Sequence, residues 1–161
     1  MYKNSVKKII IFLIVAVMIL ANCGCASKNN YTTAELSEEI LKLTTFSEMK
    51  QLSGTSLPSY FVFQDGDVKR FNVMVSANAE SADTLACFEV VDEKQRSTTV
   101  SGISSYLSNQ SNCFKSTIEK EYNKVQNRLL AELDNIIILV VSSDTTAVWE
   151  YLTELGAKEV V

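Results

Sequence analysis

Six consecutive aliphatic residues, Ile136 to Val141, constrain this chain more than any other feature. A strand that is apolar on both faces belongs in the middle of a covered sheet, so this run is expected to be the central buried strand. Arg128 to Leu133 precede it across Asp134-Asn135, two residues that tolerate positive φ, and the pair predicts a tight antiparallel hairpin.

The remaining elements are read outward from that strand. Thr32-Thr33-Ala34-Glu35 fits a capping box ahead of Leu36, Ile40 and Leu43 at helical spacing. A short helical piece is expected over Ser47 to Leu52, ended by Ser53-Gly54, and Pro58 opens an irregular region. Tyr60-Phe61-Val62-Phe63 and Phe71 to Val75 have strand composition and are separated by the turn signal Asp65-Gly66. Thr84 to Val91 predicts a strand with Ala86, Phe88 and Val90 on one face and Leu85, Cys87, Glu89 and Val91 on the other. Thr98 or Thr99 is placed as the cap of a helix about seven turns long, whose apolar stripe runs from Val100 through Leu107, Phe114, Ile118 and Tyr122 to Val125. Ser143 or Asp144 is expected to cap a last helix that Gly156 stops. The class that results is α+β: an antiparallel sheet of about four strands, with one long helix and two terminal helices packed on it.

The N-terminus speaks of location. Lys3, Lys7 and Lys8 precede an apolar run from Ile9 to Ala21, the layout of a secretory signal. At ~1.5 Å per residue the run is about 20 Å long, short of the ~30 Å hydrocarbon core. Leu20-Ala21-Asn22-Cys23 resembles the lipobox of bacterial lipoproteins, which implies a lipidated Cys23 after removal of residues 1–22. Gly24-Cys25 makes Cys25 the alternative lipidation site, and an uncleaved anchor is the remaining alternative. Residues 23–32 then form a short polar tether and residues 33–161 a single domain. Fully extended at ~3.5 Å per residue, Ala26 to Thr33 reaches about 30 Å. The domain is therefore expected close to the extracytoplasmic face of the cell membrane, anchored by two acyl chains.

Three of the 15 basic residues and none of the 19 acidic ones fall in the signal, so 12 oppose 19 in the mature chain, a net charge of −7. That argues against nucleic acid and against electrostatic adhesion to anionic lipid. There is no histidine, which removes Ser-His-Asp triads and most transition-metal sites. No metal, cofactor or catalytic residue is implied.

Cys87 and Cys113 are read as buried free thiols, with a Cys87–Cys113 disulfide as the alternative that an extracytoplasmic compartment permits. Redox chemistry is disfavoured because there is no Cys-x-x-Cys. Asp65-Gly66-Asp67 lacks the further oxygen ligands of a calcium loop and reads as a turn. Glu119-Lys120-Glu121 with Lys124, and Glu89 with Asp92-Glu93-Lys94, read as solvated surface, with Glu89 at an edge or on an exposed face. Trp149 is assigned to core packing, and Ser104, Ser105, Ser108 and Ser111 to an ordinary helix surface.

Ser81-Ala82-Asp83-Thr84-Leu85-Ala86-Cys87-Phe88-Glu89-Val90 resembles the "ADEIAVFE"-like strand of small Gram-positive, Firmicutes-type lipoproteins grouped as the domain of unknown function 4358 family. Asn135-Ile136-Ile137-Ile138-Leu139-Val140-Val141-Ser142 resembles that family's "GNYVLLVVS" strand. The likeness spans about residues 33–155 and is that of a divergent member, since the hairpin glycine and the proline after Tyr122 are missing. It implies fold and location and transfers no site residue. The expected role is a non-enzymatic protein-interaction domain whose partner is another envelope protein, with a small-ligand-binding or transporter-accessory lipoprotein as the alternative.

Overall fold

A computed structural model describes residues 31–63 and 66–160. Its elements are α1 (Thr33–Leu43), β1 (Met49–Gln51), a 3-10 turn (Leu57–Ser59), β2 (Arg70–Ser76), β3 (Thr84–Glu89) and α2 (Glu93–Phe114). They continue as α3 (Glu119–Gln126), β4 (Leu129–Leu133), β5 (Ile136–Val141), α4 (Thr146–Glu154) and β6 (Lys158–Glu159). The six strands form one sheet in the order β1-β2-β3-β5-β4-β6, every neighbouring pair antiparallel. The α+β class stands, with six strands in place of the expected four, and four helices, among the described residues.

β5 explains the layering. Ile136, Ile138 and Val140 point into one apolar layer, and Ile137, Leu139 and Val141 into the other. The first layer is completed by Leu36 and Ile40 of α1 and by Val148 and Leu152 of α4. The second is completed by Ile103, Tyr106, Leu107 and Phe114 of α2 and by Val125 of α3. β3 divides as its alternation predicts, with Leu85 and Cys87 in the first layer and Ala86, Phe88 and Val90 in the second. The β4–β5 hairpin turns at Asp134, whose φ is 52°, and Gly156 ends the last helix at φ 94°. Thr32 and Glu35 form the expected capping box on α1.

Four expectations are corrected. Where a helical piece is expected around Ser47 to Leu52, Met49–Gln51 is strand, flanked by bonds from the Ala77 amide to the Glu48 carbonyl and from the Leu52 amide to the Val73 carbonyl. Local helical preference yields there to the unpaired edge of β2. Tyr60 to Phe63 is no strand, because Tyr60 and Phe61 donate back to the Leu57 carbonyl around Pro58. Phe61 instead plugs the second layer, edge-on to Phe88 at 5.2 Å and stacked on Tyr106 at 4.5 Å. The seven-turn helix is two helices. It begins earlier, at Asp92, whose side chain accepts from the Gln95 amide, and it breaks at Lys115 to Ile118. There the Thr117 hydroxyl donates to the Cys113 carbonyl and Ile118 turns extended. Finally, the N-cap position of α4 is Thr145, one residue beyond the expected pair, but Thr145 makes no side-chain capping bond, and the expected Asp144 supplies it by accepting from the Thr146 amide.

Candidate functional site

The two ends of β3 each carry a carboxylate, and each is clamped by a lysine. At the N-terminal end the Lys124 ammonium lies 2.8 Å from Asp83 and 3.0 Å from Glu121. Glu121 also accepts the Ala82 amide at 2.9 Å, and Asp83 accepts the Ser47 amide at 2.7 Å. The three side chains are 10 %, 4 % and 9 % exposed. Burial works against ionising Asp83, but Lys124 and the Ser47 amide outweigh it and hold its carboxyl below the ordinary range. Burial likewise opposes the Lys124 charge, and Asp83 and Glu121 overcome that, raising its pKa. Glu121 and Lys124 are thus not the solvated surface that their charge suggests.

At the C-terminal end Glu89 meets Lys69 at 2.7 Å, Arg70 at 3.7 Å and the Asn135 amide at 3.3 Å. The hydrogen bond from Lys69 is the main reason its pKa falls. Glu89 sits on an interior strand, not at an edge. Its charge is tolerated because these three groups surround it.

A cleft of about 520 Å³ opens beside this second clamp, lined by Arg70, Glu89, Val91 and Asn135 and closed on one side by Tyr31 and Thr32. Val91 is 59 % exposed at its rim. Tyr31 is fixed by packing in the first apolar layer and by the Tyr151 hydroxyl, which donates to it at 3.4 Å. Two further clefts flank α3. One of about 390 Å³ lies between it and Ser142-Ser143. The other, about 570 Å³, runs between α2, α3 and β4 over Val100, Leu107, Val125 and Leu130, with Arg128 at its side.

The sequence-selected residues fall in separate places. Cys23 and Cys25 lie outside the described residues. Cys87 and Cys113 are both free, and they lie on opposite sides of the sheet. Cys87 is buried beneath α1, where it accepts the Ser37 hydroxyl at 3.3 Å, while Cys113 is exposed on α2. The sheet between them excludes the candidate disulfide, and only one of the two thiols is buried. Burial raises the Cys87 pKa to about 12 against the opposing Ser37 bond, so it stays a thiol at neutral pH. Trp149 packs half-buried against the first layer. Ser104, Ser105 and Ser108 donate to the carbonyls four residues back, and Ser111 accepts from Gln126. Among the described residues no group of three metal-ligating side chains comes together.

The buried ionic cluster is what sequence reading missed. A signal existed: Glu121 and Lys124 border Tyr122 and Val125 on the face of α3 that the apolar stripe turns inward. Charges placed on that face need each other.

The class that this architecture defines is an α+β domain with helices on both faces of an antiparallel sheet. The family model described as "Domain of unknown function (DUF4358)" matches residues 42–142, more than half of the 161 residues, and the chain belongs to that family. No curated protein and no solved structure matches the chain.

Proposed function

We propose that the chain is a membrane-anchored extracytoplasmic lipoprotein and that its domain is a non-enzymatic protein-interaction module at the outer face of the cell membrane. The observation that carries this reading is the position of Tyr31. It follows the lipobox-like segment by only a few residues, and it lines the cleft at the Glu89 end of the sheet. A tether of at most about 30 Å would hold that cleft against whatever else occupies the membrane face. Its lining has the character of a contact surface, with an exposed Val91 and with Arg70. Its carboxylate, Glu89, has a lowered pKa, which suits a fixed anion better than a proton donor.

The test is crosslinking in intact cells, comparing the full-length chain with a Cys23→Ala, Cys25→Ala version and with Val91→Asp. The proposal expects one specific envelope protein, captured by the anchored chain and lost in both variants. Capture that is indifferent to both the anchor and Val91 would contradict it.

A second reading, a small-ligand or transporter-accessory lipoprotein, is favoured by the groove of about 570 Å³ between α2 and β4, where Leu107, Val125 and Leu130 meet polar groups such as Ser108 and Arg128. That volume lies within the ~300–1,000 Å³ usual for ligand sites. It expects a compound that raises the melting temperature of the chain and fails to do so with Leu130→Arg. A compound that stabilises both equally would count against the groove.

A further inference from the structure

Of the four helices among the described residues, α3 has the fewest buried apolar side chains. Val125 is its one buried apolar side chain, whereas α1 and α4 bury two each and α2 four. What α3 buries besides Val125 is charge, Glu121 and Lys124. The helix is also undercut on both sides, by the cleft at Ser142-Ser143 and by the groove over Leu107 and Leu130. At its N-terminal side Lys115 to Ile118 is non-helical, with Ile118 extended, and at its C-terminal side Asn127 and Arg128 link it to β4. Two short joints thus bracket an eight-residue helix whose middle is tied to the chain before β3 by two bonds, Lys124 to Asp83 and the Ala82 amide to Glu121, while Glu121 and Lys124 pair with each other within the helix.

We propose that α3 is a lid, latched by Lys124 against Asp83 and by Glu121 against the Ala82 amide, and that its release joins the two flanking clefts into one recess. Segments that bury few apolar groups open locally, at lower free energy than the whole fold. A buried ion pair suits a latch. Its desolvation cost nearly cancels its attraction while both partners are present, and losing one partner is strongly unfavourable. Swinging outward would return all three charges to water together. The same movement would uncover Val125 on the helix together with Leu107 and Leu130 of the groove beside it, adding apolar surface to the recess.

Hydrogen exchange on the full-length chain in detergent micelles tests this directly. Amides of residues 122–127 are expected to exchange at least about tenfold faster than those of β3 and β5, the mark of local opening. Lys124→Met is expected to speed residues 122–127 by about a further tenfold and to leave β3 and β5 unchanged. If residues 122–127 and the sheet are equally protected in the unaltered chain, α3 opens only with global unfolding and the lid is overturned, whether or not the Met variant folds. If Lys124→Met speeds every element alike, Lys124 serves the whole fold and the latch is overturned.

Discussion

Gly102 sits in the middle of α2 with the Phe63 ring lying where a Cβ would go. In an open helix Gly→Ala is stabilising by about 1 kcal/mol, but overpacking costs about 1–3 kcal/mol. The contact decides the sign. Gly102→Ala is expected to destabilise the fold by about 1 kcal/mol or more in urea denaturation, and to become neutral or stabilising once Phe63→Ala removes the ring. An unchanged cost in the double variant would mean that Phe63 is not the neighbour at fault. The cysteines give a second residue-scale prediction. In the native chain an alkylating reagent followed by peptide mass mapping should modify Cys113 and spare Cys87, which should react only after denaturation. Modification of both at equal rates would contradict the burial of Cys87 under α1.

At the scale of elements, the aromatic plug separates two readings of one sequence. Phe61 is fully buried and its neighbour Val62 is 73 % exposed. Phe61→Ala should therefore cost about 3–5 kcal/mol, while Val62→Ala stays within about 0.5 kcal/mol. Similar costs at both positions would favour a half-buried strand instead. Much was legible in local pattern. Ile136 to Val141, the hairpin at Asp134 and the two faces of β3 follow from alternation and turn chemistry. The edge strands were not legible, because Lys50, Gln51, Lys158 and Glu159 carry no alternating apolar signal and become strand only through a partner's backbone. Lysines on short edges also suit strands that must not recruit further chains. The break between α2 and α3 was hidden for another reason. Phe114 and Ile118 keep the four-residue spacing across it, so the apolar stripe continues where the helix does not. The ionic cluster escaped because Asp83 lies about 40 residues from its partners, and only the fold brings them together.

For the whole molecule, those charges set the pH range of stability. The folded pKa values of Asp83 and Glu89 lie below their usual 3.8 and 4.5, so their contribution is complete above those values and lost as pH falls through the folded ones. Lys124 runs the other way: its contribution is complete below 10.5 and lost as pH rises through its higher folded value. Cys87, raised by burial from 9.0 to about 12, erodes stability earlier on the alkaline side, as does Tyr106 from 10.0 to about 12. Melting temperature should thus be flat between about pH 5 and 8 and fall below about 4 and above about 9. A maximum outside that window would show that other groups dominate.

The anchor is the claim on which the functional proposal depends, since without it the cleft beside Tyr31 has no reason to face a membrane. Mass spectrometry of the N-terminal peptide of the mature chain, isolated from the organism's membranes, tests it most directly. The account predicts a peptide that begins at Cys23 and carries a diacylglyceryl mass, lost in Cys23→Ala. A chain that keeps residues 1–22, or one whose N-terminal peptide bears no lipid on Cys23 or Cys25, would contradict it.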